Sequence, residues 1–268
     1  MRTLVHLSDL HFGRIDDALL HPLVKTVQAL APDVVVVSGD LTQRALRREF
    51  IQARAFLDQL PRPQIVVPGN HDVPLYNLVN RLFRPLAHFQ RYIEPDLIPQ
   101  YIDGEIAVVG INTARAMVLK NGRVNAEQIG ALSTTLGALG EQVLKVVVTH
   151  HPFAVPASAS GHAAVGRAGL AMAAFARCGV DVLLAGHLHA SHTVGAGIDE
   201  APTGHAALLV SAGTATSTRG RGETNSFNVL RLERQQVEVQ RYAWQAARQQ
   251  FLPEQGCVYV QAGGRWVP

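Results

Sequence analysis

The sequence predicts an α/β fold built around a parallel sheet with helical crossovers. Three observations carry that expectation. Short β-branched apolar runs recur at residues 3–8, 33–38, 64–67, 144–149 and 180–185. Stretches with apolar residues at helical spacing separate the first three runs and precede the fifth, bounded by proline or glycine. Each run also ends abruptly in Asp, Asn or His, at the strand ends where α/β sheets keep their ligands.

In chain order, the run 3–8 ends in Asp9-Leu10-His11. Residues 18–30 have helical spacing and stop before Pro32. The run 33–38 ends in Gly39-Asp40, and a helix over 44–60 is closed by Pro61 and Pro63. The run 64–67 leads into Pro68-Gly69-Asn70-His71-Asp72, whose glycine permits a tight turn that presents three polar side chains. Strand, helix, strand, helix, strand implies parallel pairing.

Residues 74–100 break this rhythm, and their amphipathic part, 76–92, reads as a helical insertion at the rim of the site. Residues 102–105 predict a tight turn into a strand at 106–111. Asn125 and Gln128 have the spacing of a reciprocal helix cap. The run 144–149 delivers His150, His151 and Pro152, and a Ser/Ala/Pro-rich loop follows to Gly161. A helix over 165–178 stops at Gly179. The run 180–185 delivers Gly186-His187-Leu188-His189. Beyond it, 192–194, 206–211, 226–232 and 237–242 read as antiparallel strands joined by Gly-rich turns. No repeat or linker divides the chain, so one domain over 1–268 is expected.

Composition narrows the function classes. The 268 residues are 47% hydrophobic and 17% charged, as in ordinary globular proteins, and can bury a large core. A net charge of +3 with scattered arginines does not suit a nucleic-acid binder. Arg44, Arg47, Arg48 and Arg54 read as one solvated helix face. Cys178 and Cys257 lack metal-like spacing and read as a reduced pair. With no membrane-length apolar run, and a first strand already carrying Asp9 and His11, the expected setting is soluble and cytoplasmic.

The five polar clusters resemble the calcineurin-like metallophosphoesterase superfamily, whose pattern is DxH, GD, GNH(D/E), a later His and GHxH. Here they stand in order across residues 9–189. Singly each is weak; together at five strand ends they are specific. The chain looks most like the class III cyclic-nucleotide phosphodiesterases and their glycerophosphodiester-hydrolysing relatives. That resemblance implies a four-layer α/β/β/α sandwich, with mixed sheets flanked by helices and two metal ions at the strand ends.

By the same resemblance, Asp9, His11, Asp40 and His189 hold one ion, and Asp40, Asn70, His150 and His187 hold the other. A carboxylate can bridge ions about 3.5–4 Å apart, and two ions bring a shared water near neutrality as a nucleophile. His71 is expected beside the phosphate, protonating or stabilising the departing oxygen. Asp72 is grouped with it as orienting either His71 or the loop. Oxygen and nitrogen donors accept Mn, Fe, Zn or Co alike.

His150 fits the ligand position better than His151. His6, His21, His88, His162, His192 and His205 match no motif and read as structural or surface residues, His88 and His162 lying on rim segments. Residues 216–226 read as a surface hairpin loop, with a sharper alternative in which Arg219 or Arg221 holds part of a substrate.

The implied activity is hydrolysis of a small phosphodiester, with 3′,5′-cyclic nucleotides and glycerophosphodiesters as candidates. A pyrophosphatase acting on a nucleotide-sugar lipid is the alternative, disfavoured because such relatives carry Arg where His71 stands. A nuclease would need a DNA-binding extension. A metal-free scaffold would be expected to have lost ligands, and none is lost here. Expected partners are a small phosphodiester and, through 74–100, a second copy of the chain.

Overall fold

The computed structural model describes the chain apart from residues 119, 156–162, 197–204 and 220–221, and apart from the side chains of residues 78 and 194–196. The 152–161 loop therefore lies largely outside the described residues, as do His162 and Arg221.

Two sheets pack face to face. The first contains β1 (Arg2–Leu7), β2 (Val34–Ser38) and β3 (Gln64–Val67), which pair in parallel in that order. The second contains β4 (Gln100–Ile102), β5 (Ile106–Gly110), β6 (Leu144–Val148) and β7 (Val182–Ala185), in which β5, β6 and β7 are parallel. The strands read as continuous apolar runs because both faces of each sheet are covered. Alternation assigns the faces: Val35 and Val37 of β2 join the core beneath the helices, whereas Val34 and Val36 point between the sheets. Likewise Val147 of β6 faces helices and Val146 faces the other sheet.

The helices complete the outer layers. α1 (Leu20–Ala29) and α2 (Arg47–Leu57) pack on the first sheet through Leu23, Val27, Phe50 and Phe56. α3 (Leu78–Phe83) and α4 (Ala87–Tyr92) follow β3. α5 (Ala126–Gly137) and α6 (Ala168–Cys178) cover the second sheet through Leu132, Leu136, Ala171 and Phe175. Three hydrophobic cores, one between the sheets and one under each helical layer, give the α/β/β/α sandwich. Among the described residues no helix is long and apolar enough to cross a membrane.

The caps follow the sequence. Asn125 accepts from the Gln128 amide at 2.8 Å, and the Gln128 side chain accepts from Asn125 N at 3.1 Å. Gly179, at φ +68, ends α6 while Val180 N reaches back to Phe175 O at 3.0 Å.

Four expectations shift. α2 starts at Arg47 rather than 44, because buried Glu49 takes the Arg44 and Leu46 amides at 2.8 and 3.3 Å and holds that segment outside the helix. The insertion is two short helices broken at Arg84-Pro85, where proline removes a helical donor, and Phe89 of α4 belongs to the core. The late strands are not one antiparallel set. β8 (His192–Ala196) and β9 (Ala207–Ser211) extend the second sheet, and β9 runs parallel to β7. β10 (Ser226–Glu233) and β11 (Gln236–Gln245) extend the first. Finally, β12 (Gln250–Pro253), β13 (Cys257–Ala262) and β14 (Arg265–Val267) continue that sheet beyond the strands read from sequence.

Leu230 of β10 is fully buried between the sheets, whereas Val260 of β13 is 44% exposed. Leu230→Ala should cost about 2–5 kcal/mol in urea unfolding, and Val260→Ala about 0.5 or less. Equal losses would contradict the inter-sheet core.

Candidate metal centre

The carboxyl ends of β1, β2, β3, β6 and β7 converge on one polar cluster. The loops after them are stitched together by backbone: Asp9 N donates to Gly39 O at 3.1 Å, His11 N to Asp40 O at 2.9 Å, and Gly186 N to His150 O at 3.0 Å. His187 N crosses between the sheets to Asp9 Oδ2 at 3.1 Å.

Glycines make this approach possible. A Cβ on Gly69 would sit 2.1 Å from Asp40 Oδ1 and 2.4 Å from Asp40 N, and one on Gly186 would meet Ser8 Oγ at 1.9 Å. The polar residues themselves carry strain. Among the described residues, nine non-glycines have positive φ, and five are Asp9, His11, Asp40, His187 and His189. Positive φ is uncommon for any non-glycine residue, though Asp and His tolerate it better than most, and its clustering at one place points to a functional site.

The donor atoms face each other in two groups. Asp9 Oδ1 lies 3.6 Å from both His11 Nε2 and His189 Nε2. Asp40 Oδ2 lies 3.7 Å from His11 Nε2, and its other oxygen lies 3.4 Å from His150 Nε2. Asn70 Oδ1 is 3.2 Å from the same His150 nitrogen. Asp40 thus turns one oxygen to each group. Donors about 2.0–2.2 Å from a common ion stand roughly 3–3.5 Å apart, close to these separations. Asp9 Oδ1 and His11 Nε2 are buried with no hydrogen-bond partner, which a divalent cation would satisfy. The donor set fits metal ions.

Several bonds aim these donors. His150 Nδ1 donates to Ser38 O at 2.7 Å, leaving Nε2 toward Asp40 and Asn70. His189 Nδ1 bonds Thr214 Oγ1 at 2.8 Å. Ser8 Oγ donates to Asp9 Oδ2 at 2.6 Å, leaving Oδ1 for the cluster. Burial alone would raise both aspartates, but the surrounding imidazoles, His189 and His11 for Asp9 and His150 and His11 for Asp40, hold them below the usual carboxylate range. Burial likewise opposes charge on His150, yet the Asp40 carboxylate beside it lifts its pKa to about 9. The centre is built to hold anions against positive charge.

His71 lies at the edge of this group. Its Nδ1 donates to Gln43 O at 2.9 Å, and its Nε2 accepts from Arg219 Nη1 at 3.0 Å. Burial, and after it the opposing pull of Asp40 and the push of His11 and Arg219, leaves its pKa lowered. Among the described residues the Asp72 carboxylate makes no hydrogen bond to the His71 ring. It accepts from Thr42 N at 2.9 Å, Thr42 Oγ1 at 2.8 Å, Leu41 N at 3.2 Å and Gly69 N at 2.9 Å. These bonds tie the loop after β2 to the loop after β3. Burial, then Asp40, pushes the Asp72 carboxyl up to about 6.

His151, set aside in the sequence, is brought with His150 and His187 into one donor cluster. Thr113 Oγ1 bonds its Nδ1 at 2.7 Å, and its Nε2 is buried without a hydrogen bond. The doubled histidine was the available signal. The unmatched histidines sit elsewhere: His6 bonds Ser38 Oγ at 2.8 Å, His205 bonds Val180 O at 2.9 Å, and His88 packs on Phe50 and Tyr92.

The sequence profile described as calcineurin-like phosphoesterase matches residues 2–191. The glycerophosphodiester phosphodiesterase GpdQ of Enterobacter lignolyticus is 39% identical over 80 residues, a match spanning 26% of this chain and 29% of that protein. A purple acid phosphatase from yellow lupin seeds overlays with a TM-score of 0.70 at 13% identity, over 96% of this chain and 53% of that one. A dimetal phosphatase from Danio rerio overlays with a TM-score of 0.67 at 15% identity, over 94% of this chain and 98% of that one. At such identities the overlays speak to the fold alone.

Gly69→Ala should weaken Mn binding at least about tenfold, roughly 1.4 kcal/mol, by calorimetry on folded protein. Gly104→Ala, with nothing within 4 Å of the added carbon, is the control. Wild-type affinity in Gly69→Ala would contradict the close approach of the two strand ends.

Proposed function

The chain belongs to the calcineurin-like phosphoesterase family, and on that premise we propose that it is a two-metal phosphodiesterase acting on a small phosphodiester. The observation that carries the proposal is Asp40, whose two oxygens face separate buried donor groups. Asp9, His11, Asp40 and His189 would hold one ion; Asp40, Asn70, His150 and His187 would hold the other. Bound there, the ions supply positive charge for a phosphoryl group and acidify water.

The chain's own residues do the rest. Neutral His and Asn donors add no negative charge, so the loaded centre attracts a phosphate anion. Arg219, held by His71 Nε2 at 3.0 Å, offers guanidinium donors to charge developing on the departing oxygen. His71 is itself fixed by Gln43 O, so it aims the arginine. Protonation of the leaving oxygen by His71 would first require Arg219 to leave Nε2. Asp72 keeps the Asp40 and Asn70 loops in register. Glycerophosphodiesters are favoured over 3′,5′-cyclic nucleotides, because the curated relative over 80 residues is a glycerophosphodiesterase.

Metal-stripped protein should be inactive on bis(p-nitrophenyl) phosphate and glycerophosphoethanolamine, and Mn should restore both. Asp40→Ala should lose at least about 10³-fold in kcat, and Arg219→Ala about 10²-fold without losing metal. No metal-dependent diester cleavage by wild type would sink the proposal.

A further inference from the structure

A cavity of about 360 Å³ adjoins the candidate metal centre at Asn70 and His71. Its wall includes Arg44, Arg81 and Lys120, with Tyr76 also lining it, and no carboxylate. Among the described residues none of these three cations forms a salt bridge, whereas Arg2, Arg231, Arg234 and Arg241, all partly buried, each face a carboxylate.

Arg81 is the decisive residue. It is only 7% exposed, yet the hydrogen bond it makes is from Nη1 to the Pro74 carbonyl at 2.9 Å. A guanidinium carries five donors and a fixed charge, and none of the other Arg81 nitrogens is both buried and unpartnered, so they stay open to an anion in the cavity. Arg44 and Lys120 add two exposed cations to the same wall, a charge distribution that attracts an anion there. Tyr76, 76% exposed, presents its ring beside these cations.

We propose that this cavity receives one ester arm of the substrate, and that the arm carries a second anionic group, a phosphate or carboxylate, held by Arg81, Lys120 and Arg44 with Tyr76 against its body. The proposal deepens the phosphodiesterase reading and rests on it for the chemistry. It makes a diester with a charged arm a better substrate than one whose arm is neutral, such as glycerol.

Two measurements test it. Metal-stripped protein, freed of chelator by gel filtration, is titrated calorimetrically with glycerol 3-phosphate and with glycerol. Only the phosphate should bind, and Arg44→Ala/Lys120→Ala should weaken it at least about tenfold. Mn-loaded protein is then compared on glycerophosphoinositol and glycerophosphoinositol 4-phosphate. Wild type should prefer the phosphorylated arm at least about tenfold in kcat/KM, and the double variant should lose that preference. Arg81→Gln, checked for folding by circular dichroism, should do the same. Absence of glycerol 3-phosphate binding, absence of the preference, or its survival in the double variant would overturn the subsite. Failure to cleave either diester would instead overturn the phosphodiesterase reading, and the binding titration would still decide the subsite.

Discussion

Two carboxylates buried as anions, Asp9 and Asp40, set the terms for everything around them. Both are 0–1% exposed. An anion at that depth is tolerable only with positive charge or hydrogen-bond donors close by. The imidazoles of His11, His150 and His189 supply part of this, the Ser8 hydroxyl and the His71 and His187 amides another part. What remains is Asp9 Oδ1 and its neighbour His11 Nε2, which among the described residues are buried without a hydrogen bond. The sandwich is arranged so that this remainder lies where two sheets end.

Holding that arrangement is costly. Asp9, His11, Asp40, His187 and His189 all hold positive φ, a backbone conformation that the surrounding packing must impose. The strain persists because three cores fix the strands that lead into it, and because glycine at 39, 69 and 186 removes side chains where backbones touch. Asp72 shows the same economy of position. Its four hydrogen bonds serve the loops and none reaches His71.

Much of this was legible in the sequence. The parallel strands could be read because both their faces are buried, which leaves unbroken runs such as 34–37 that end in a polar cluster. The last two strands were not legible, because Cys257, Tyr259 and Trp266 of β13 and β14 meet the inter-sheet core while Val258, Val260 and Val267 between and beyond them are 43–44% exposed. The parallel pairing of β9 with β7 was hidden as well, since it depends on chain passage rather than local pattern. Side-chain partnerships were the least legible. His71 and Arg219 are 148 positions apart, and the place of residue 219 emerges only when the fold brings its guanidinium to His71 Nε2. Arg44 reads as part of a solvated helix face until Glu49 holds it outside the helix and beside the cavity.

The central claim is that Asp40 bridges two ions. Crystals grown with Mn and measured at the Mn absorption edge test it directly. The account predicts two anomalous peaks about 3.5–4 Å apart on either side of Asp40, one beside Asp9, His11 and His189 and the other beside Asn70, His150 and His187. A single peak, or peaks that leave either Asp40 oxygen without an ion, would contradict it.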